Sequence, residues 1–162
     1  MTGDLVAEIV SAQCSAIGAN LFASGRVGAI HNIESACTMK LPILIVDDDR
    51  TAGPLLAKVL SAWGYHADVA ADGYAALRFI ESEHYGIAII DYRMPGMNGV
   101  ELFRRMRELH PELAAIFLTG HTTIDVVYPA IEAGILRVMS KPPDFQELMP
   151  VLEEHLGVAV ES

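Results

Sequence analysis

From residue 41 onward, short continuous apolar runs alternate with segments whose apolar residues recur at helical spacing. The runs are Leu41–Val46 (LPILIV), His66–Ala70, Ile87–Ile90, Ala114–Leu118 and Ile135–Met139. Runs this short, rich in β-branched residues and with few polar interruptions, predict strands buried on both faces. The segments between and after them are Pro54–Trp63, Gly73–Glu81, Val100–Leu109, Ile124–Ala133 and Phe145–Leu156. Each sets apolar side chains three or four residues apart, such as Leu56 with Leu60, Ala76 with Ile80, Phe103 with Met106, and Leu148 with Leu152. That spacing predicts amphipathic helices. Five strands alternating with five helices predict an α/β fold, a doubly wound five-stranded parallel sheet of (βα)5 type. Right-handed crossovers leave few topologies, and the flavodoxin-like strand order 2-1-3-4-5 is expected.

The first 38 residues follow no such alternation. They are rich in Ala, Ser, Gly and Ile, and partial helical spacing of Leu5, Val6, Ile9, Val10 and Ile17 allows one short helix. The expected organisation is an extension over 1–38, poorly ordered or a short helix, a domain over 39–157, and a tail over 158–162. The uncharged run Ile9–Gly25 is too short and too polar to span a bilayer, and no basic residue precedes it as in a secretory signal. No membrane attachment is therefore expected.

Charge removes another class. Lys and Arg number 11 against 21 Asp and Glu, a formal charge of −10, which argues against direct DNA binding. Cys14 and Cys37 are the only cysteines. They form neither a disulfide scaffold nor a zinc site, and they fit a reducing, cytoplasmic setting.

In an open parallel sheet, ligands collect beyond the carboxyl ends of the strands, near the switch point. Beyond strand 1 come Asp47, Asp48 and Asp49; beyond strand 3, Asp91; beyond strand 4, Thr119; beyond strand 5, Ser140 and Lys141. The end of strand 2, Ala70–Asp72, reads as structural. Carboxylates gathered at one edge repel, by about 4 kcal/mol for a pair ~4 Å apart at an effective dielectric of 20. A hard divalent cation would hold them, and Mg²⁺ fits best because it takes few carboxylates, keeps waters and bridges to phosphoryl oxygens. Lys141 would add a fixed positive charge and Thr119 a hydroxyl donor. Such a set suits phosphoryl transfer, in which the protein positions and neutralises, and a carboxylate can itself be the nucleophile.

These stretches, ILIVDDD at 43–49, DYRMPGMNG at 91–99, LTG at 118–120 and SKPP at 140–143, resemble the receiver domain of two-component response regulators in order and spacing. The resemblance covers Met39 to about Leu156. It implies that Asp91 is the phosphoacceptor. It implies Mg²⁺ held by Asp47, Asp48, Asp91 and the Arg93 backbone carbonyl. Thr119 would hydrogen-bond the phosphoryl group, Lys141 would ion-pair with it, and Pro142 would follow a cis bond. Arg93 and His121 match the two variable positions that tune dephosphorylation. The implied partners are a histidine kinase or histidine phosphotransfer protein and a separate downstream protein target. Self-association through the helix 4–strand 5–helix 5 faces or the helix 1 and helix 5 faces is the implied dimer. A stand-alone receiver is expected, limited to self-phosphorylation from a phosphohistidine donor and autodephosphorylation, and otherwise not an enzyme.

The chain departs from that family at three positions. The residue three before the lysine, usually an aromatic that swings inward on phosphorylation, is Val138. Pro129 and Pro150 fall inside helices 4 and 5, where an unrelieved proline costs about 3 kcal/mol, so that face is expected to be irregular. Pro54 belongs in the first turn of helix 1, where proline is harmless. Two other readings compete. Asp47-Asp48-Asp49-Arg50-Thr51 satisfies the Asp-x-Asp-x-Thr pattern of Mg²⁺-dependent phosphatases resembling the haloacid dehalogenase group, with Asp47 as nucleophile and Asp49 as general acid. That reading leaves Asp91 and its Pro-Gly loop unused. A non-phosphorylated pseudo-receiver acting only as a binding module is the other. Asp49 reads more simply as a helix N-cap or solvated acid.

Overall fold

The computed structural model describes residues 40–121 and 123–157. The N-terminal extension with Cys14 and Cys37, and the tail at 158–162, lie outside the described residues.

Among the described residues five strands and five helices alternate: β1 (Ile43–Val46), α1 (Ala52–Ala62), β2 (Ala67–Ala70), α2 (Gly73–Ser82), β3 (Ile87–Asp91), α3 (Gly99–Leu109), β4 (Ala114–Thr119), α4 (Ile124–Ala133), β5 (Arg137–Ser140) and α5 (Phe145–Leu156). The strands form one sheet in the order β2-β1-β3-β4-β5, with every pairing parallel. This is the doubly wound, flavodoxin-like arrangement that the alternation predicts.

The continuous apolar runs are explained by the two faces. Successive strand residues point to opposite sides. Leu44, Val46, Ala88, Ile90, Ala115 and Phe117 pack with Ala76 and Ile80 of α2, Phe103 and Met106 of α3, and Ala130 of α4. Ile43, Ile45, Ile87, Ile89, Ile116 and Leu118 pack with Leu56 and Leu60 of α1 and Leu148 and Leu152 of α5. A polar residue anywhere in β1 or β3 would therefore be buried on one face or the other. Burying a side chain such as Ile89 or Leu60 fully is worth about 2 kcal/mol.

Several boundaries differ from the sequence pattern. Leu41 and Pro42 precede β1; proline has no N–H for a ladder, and here Pro42 contributes only its carbonyl, accepting from Gly86 N–H at 3.0 Å. His66, Ile135 and Leu136 fall outside β2 and β5. At the other end the ladder runs one residue further: Asp91 pairs with Leu118, and Thr119 with Ser140. Asp91, Thr119 and Ser140 are thus the last residues of their strands rather than the first beyond them. Helix α1 begins at Ala52, so Pro54 is its third residue, still in the first turn.

Pro129 and Pro150 lie inside α4 and α5 as expected, and neither helix ends at its proline. Pro150 is exposed, as is Gln146, whose carbonyl loses its helical donor, and water is available there. The carbonyl that Pro129 frees, that of Asp125, accepts from Tyr92 Oη at 3.4 Å.

Candidate functional site

The carboxyl ends of β1 and β3 are neighbours because these strands pair directly. Asp47 continues the β1 ladder, giving its N–H to Ala70 O at 3.1 Å, and its side chain is buried. Asp48, next in the chain, is exposed. Asp91 ends β3 and is also buried. Ligand oxygens of Asp47, Asp48 and Asp91 all lie within 4.8 Å of one another.

Lys141 enters from β5. Its backbone N–H is fixed on Thr119 O at 2.8 Å, and the Lys141–Pro142 bond is cis. From there Nζ reaches Asp47 Oδ2 at 2.7 Å and Asp91 Oδ2 at 3.0 Å. The remaining oxygens are held by the backbone: Asp49 N–H donates to Asp47 Oδ1 at 2.9 Å, and Arg93 N–H donates to Asp91 Oδ1 at 3.2 Å. Of Arg93, then, it is the amide N–H that touches the phosphoacceptor candidate. Loop 92–98 is held at both ends. Gly99 N–H donates to Tyr92 O at 3.0 Å, and the Asn98 side chain caps α3 by accepting from Glu101 N–H at 2.9 Å. Gly96 turns the loop with φ of 83°, a conformation that favours glycine.

The electrostatics follow from burial. Loss of water pushes the Asp91 carboxyl above its ordinary range, and the hydrogen bond and charge of Lys141 only partly offset this. Burial alone would lower Lys141, but its hydrogen bonds and charge interactions with Asp47 and Asp91 prevail and hold the ammonium form more firmly than in water. The chemistry of the donor set fits a hard divalent cation. Three carboxylates gather at one point, the two buried ones pair with a single ammonium, and all donors are oxygen.

Thr119 is buried at the end of β4. Its hydroxyl is occupied by the following loop, donating to His121 O at 3.1 Å and accepting from His121 N–H at 3.3 Å. The structure brings Asp47, Asp48, Asp91 and Lys141 together directly, with Thr119 at the adjacent strand end. It leaves Asp49 outside the oxygen cluster. The Asp49 carboxylate accepts from Thr51 N–H at 2.8 Å and Ala52 N–H at 3.2 Å, tying down the turn into α1, whose N-cap is Thr51 and not the expected Asp49. These bonds hold its pKa below the usual value. Asp72, at the end of β2, caps α2 through Ala75 N–H at 2.7 Å. Sequence reasoning assigned no separate role to Tyr92. Its only signal was its place beside Asp91, together with a proline in a helix on the same face of the sheet.

A parallel sheet that gathers an acidic corner, a lysine and a threonine hydroxyl at its carboxyl edge is the architecture of a receiver-type signalling domain. Residues 43–153 match the response regulator receiver domain, and the chain belongs to that family. Domains of this family are phosphorylated on an aspartate in two-component signalling and bind Mg²⁺ in an acidic pocket. The chain is 31% identical over 118 residues to the transcriptional regulatory protein ZraR of Salmonella typhimurium, across 73% of this chain and 27% of that protein. It therefore spans about a quarter of the length of that relative. It is also 31% identical over 118 residues to sporulation initiation phosphotransferase F of Bacillus subtilis, across 73% of this chain and 95% of that one. Among solved structures, a CheY-like receiver domain protein from Methanospirillum hungatei superposes with a TM-score of 0.68 at 30% identity, covering 73% of this chain and 94% of the other. No helix among the described residues is long and apolar enough to cross a membrane.

Proposed function

We propose that this protein is a cytoplasmic, stand-alone receiver that takes a phosphoryl group on Asp91 from a phosphohistidine of a histidine kinase or phosphotransfer protein and passes the signal to another protein. The observation that carries this reading is the position of Lys141 Nζ, within 3.0 Å of both Asp47 and Asp91 across three strands of one sheet. The stand-alone part draws on the sporulation phosphotransferase, 95% of which the chain covers. The cytoplasmic part draws on the sparse use of cysteine.

In the proposed reaction a carboxylate oxygen of Asp91 attacks phosphorus. The P–N bond of the donor breaks, its electron pair returns to the imidazole, and the imidazole takes a proton from water. The product is an acyl phosphate on Asp91. Arg93 N–H and Lys141 hold the Asp91 carboxylate in place before attack, and Lys141 follows the charge onto the phosphoryl oxygens. Thr119 leaves His121 and donates its hydroxyl to the phosphoryl group. Asp47, Asp48, Asp91 and the Arg93 carbonyl would hold Mg²⁺, which when bound offsets the negative charge of the phosphoryl oxygens. Arg93 and His121 border the site and would set the rate at which water removes the group.

Acetyl phosphate with Mg²⁺ tests the reading. The unsubstituted protein should gain one labile phosphoryl group, and Asp91→Asn and Asp91→Ala should gain none. Retained phosphorylation in both variants refutes the assignment. Steady turnover of small phosphate esters would favour the phosphatase reading, against which stands the engagement of the Asp49 carboxylate by the backbone N–H groups of Thr51 and Ala52.

A further inference from the structure

Pro129 is the sixth residue of α4 and has no N–H for the carbonyl four residues back, that of Asp125. A helix freed of that bond bends or takes an outside donor. Here the donor is Tyr92 Oη, 3.4 Å from Asp125 O.

Tyr92 directly follows Asp91, and its main chain is fixed on both sides. Its N–H donates to Leu118 O at 2.9 Å, and its carbonyl accepts from Gly99 N–H at 3.0 Å. Its ring lies against Phe117 with centroids 5.7 Å apart, and Phe117 meets Phe103 edge-on at 6.5 Å. The side chain is therefore a stiff arm, hinged at the strand end that carries Asp91, with its tip on α4. On β5, Val138 is partly buried and packed against the core.

We propose that Tyr92 links the state of Asp91 to α4, its hydroxyl replacing the N–H that Pro129 lacks, so that α4 is closed by the phosphorylation site rather than by itself. The link rests on the assignment of Asp91 above. At 3.4 Å, on an exposed carbonyl, the contact is longer than the usual O–H···O range and therefore weak, so a small displacement makes or breaks it. Thr119 follows Leu118, the acceptor of Tyr92 N–H, and opens the loop into α4. When its hydroxyl leaves His121 for a phosphoryl oxygen, the first turn of α4 shifts relative to Tyr92. The two arrangements form the two-state element that a switch needs.

Amide hydrogen exchange of residues 124–133 tests this in four proteins: unsubstituted, Tyr92→Phe, Pro129→Ala, and the double variant. Each is measured with and without Mg²⁺ plus acetyl phosphate, and intact mass reports phosphoryl occupancy. In the resting protein, Tyr92→Phe should speed exchange in α4 about two-fold, less than the loss of one well-formed neutral hydrogen bond would give. It should also remove most of the response of α4 to acetyl phosphate at unchanged occupancy. The Pro129→Ala substitution restores the missing N–H, so Tyr92→Phe should have no further effect in that background. Exchange unchanged by Tyr92→Phe, or changed equally in both backgrounds, overturns the link. Zero occupancy in the unsubstituted protein instead overturns the assignment of Asp91 and with it the signalling role of the link. The resting-state comparison then decides the tether alone.

Discussion

Lys141 and Asp91 lie 50 positions apart in the chain, yet their charged atoms are 3.0 Å apart. The same ammonium sits 2.7 Å from Asp47. One cation thus serves two buried carboxylates, and its own side chain is 25% exposed. Removing it leaves like charges facing each other out of water.

Lys141→Met should therefore destabilise the fold by about 2 kcal/mol at neutral pH, less than the roughly 3–5 kcal/mol of a fully buried pair because the Lys141 side chain is 25% exposed and partly screened by water. The loss should shrink in acid, as Asp91 takes up a proton. The Lys141 pKa is raised, so its contribution is fully present below the ordinary lysine value and fades as pH rises through the folded one. Urea unfolding of both proteins across the pH range checks this. A penalty that does not vary with pH would show that lost packing, not charge, sets the cost.

Asp91 predicts the opposite sign. Its pKa is raised, chiefly by burial, so the folded state is penalised when the carboxyl is charged. The penalty is absent below the ordinary carboxylate range, develops as pH rises towards the folded value, and is complete above it. Asp91→Asn should then be as stable as the unsubstituted protein or more so at pH 7, and the difference should vanish in acid. In the metal-free protein the Asp91 carboxyl, followed by its NMR chemical shift, should titrate above an ordinary aspartate, and Lys141→Met should push it higher. Titration at the ordinary value would contradict the desolvation argument.

Asp48 separates metal binding from folding. It belongs to the oxygen cluster but is exposed, whereas Asp47 and Asp91 are buried. Mg²⁺ bound only to the folded form should raise the melting temperature in proportion to the logarithm of its concentration, and chelation should reverse the rise. Asp48→Ala should keep the melting temperature of the metal-free protein within about 0.5 kcal/mol equivalent, as surface substitutions do. It should also lose most of the Mg²⁺-dependent increment. An undiminished increment would place the ion elsewhere.

Much of this was legible in the chain because two different periods carry it. Period-2 packing on both faces leaves the uninterrupted runs at 43–46 and 87–90, and helical spacing delimits Ile124–Ala133 and Phe145–Leu156 to the residue. The acidic corner was legible because its members follow apolar runs directly. Strand ends were harder to read: the backbone ladder extends to Asp91 and Thr119 irrespective of side-chain polarity. The effect of Pro129 was not legible at all. Its missing hydrogen bond is replaced from Tyr92, and a contact between residues 33 positions apart leaves no local pattern.

Gly99 tests how tightly the acidic corner is braced from behind. It opens α3, where alanine would be the better helix former by about 1 kcal/mol. A Cβ there would meet Tyr92 Cα at 3.1 Å, Asp91 O at 3.3 Å and Phe117 Cε1 at 3.3 Å. The first two are main-chain atoms of the segment carrying the phosphoacceptor candidate, and hydrogen bonds to Leu118 and from Gly99 itself hold that segment. Such atoms yield less readily than a flexible side chain, so crowding should outweigh propensity. Gly99→Ala should cost about 1–2 kcal/mol, the usual penalty for overpacking. It should also slow phosphorylation, because relief of the clash displaces Asp91. Gly120→Ala supplies the control, since its added Cβ meets nothing within 4 Å. Urea midpoints and acetyl phosphate kinetics on the two variants decide the matter: equal behaviour would mean that loop 92–98 is softer than its hydrogen bonds imply.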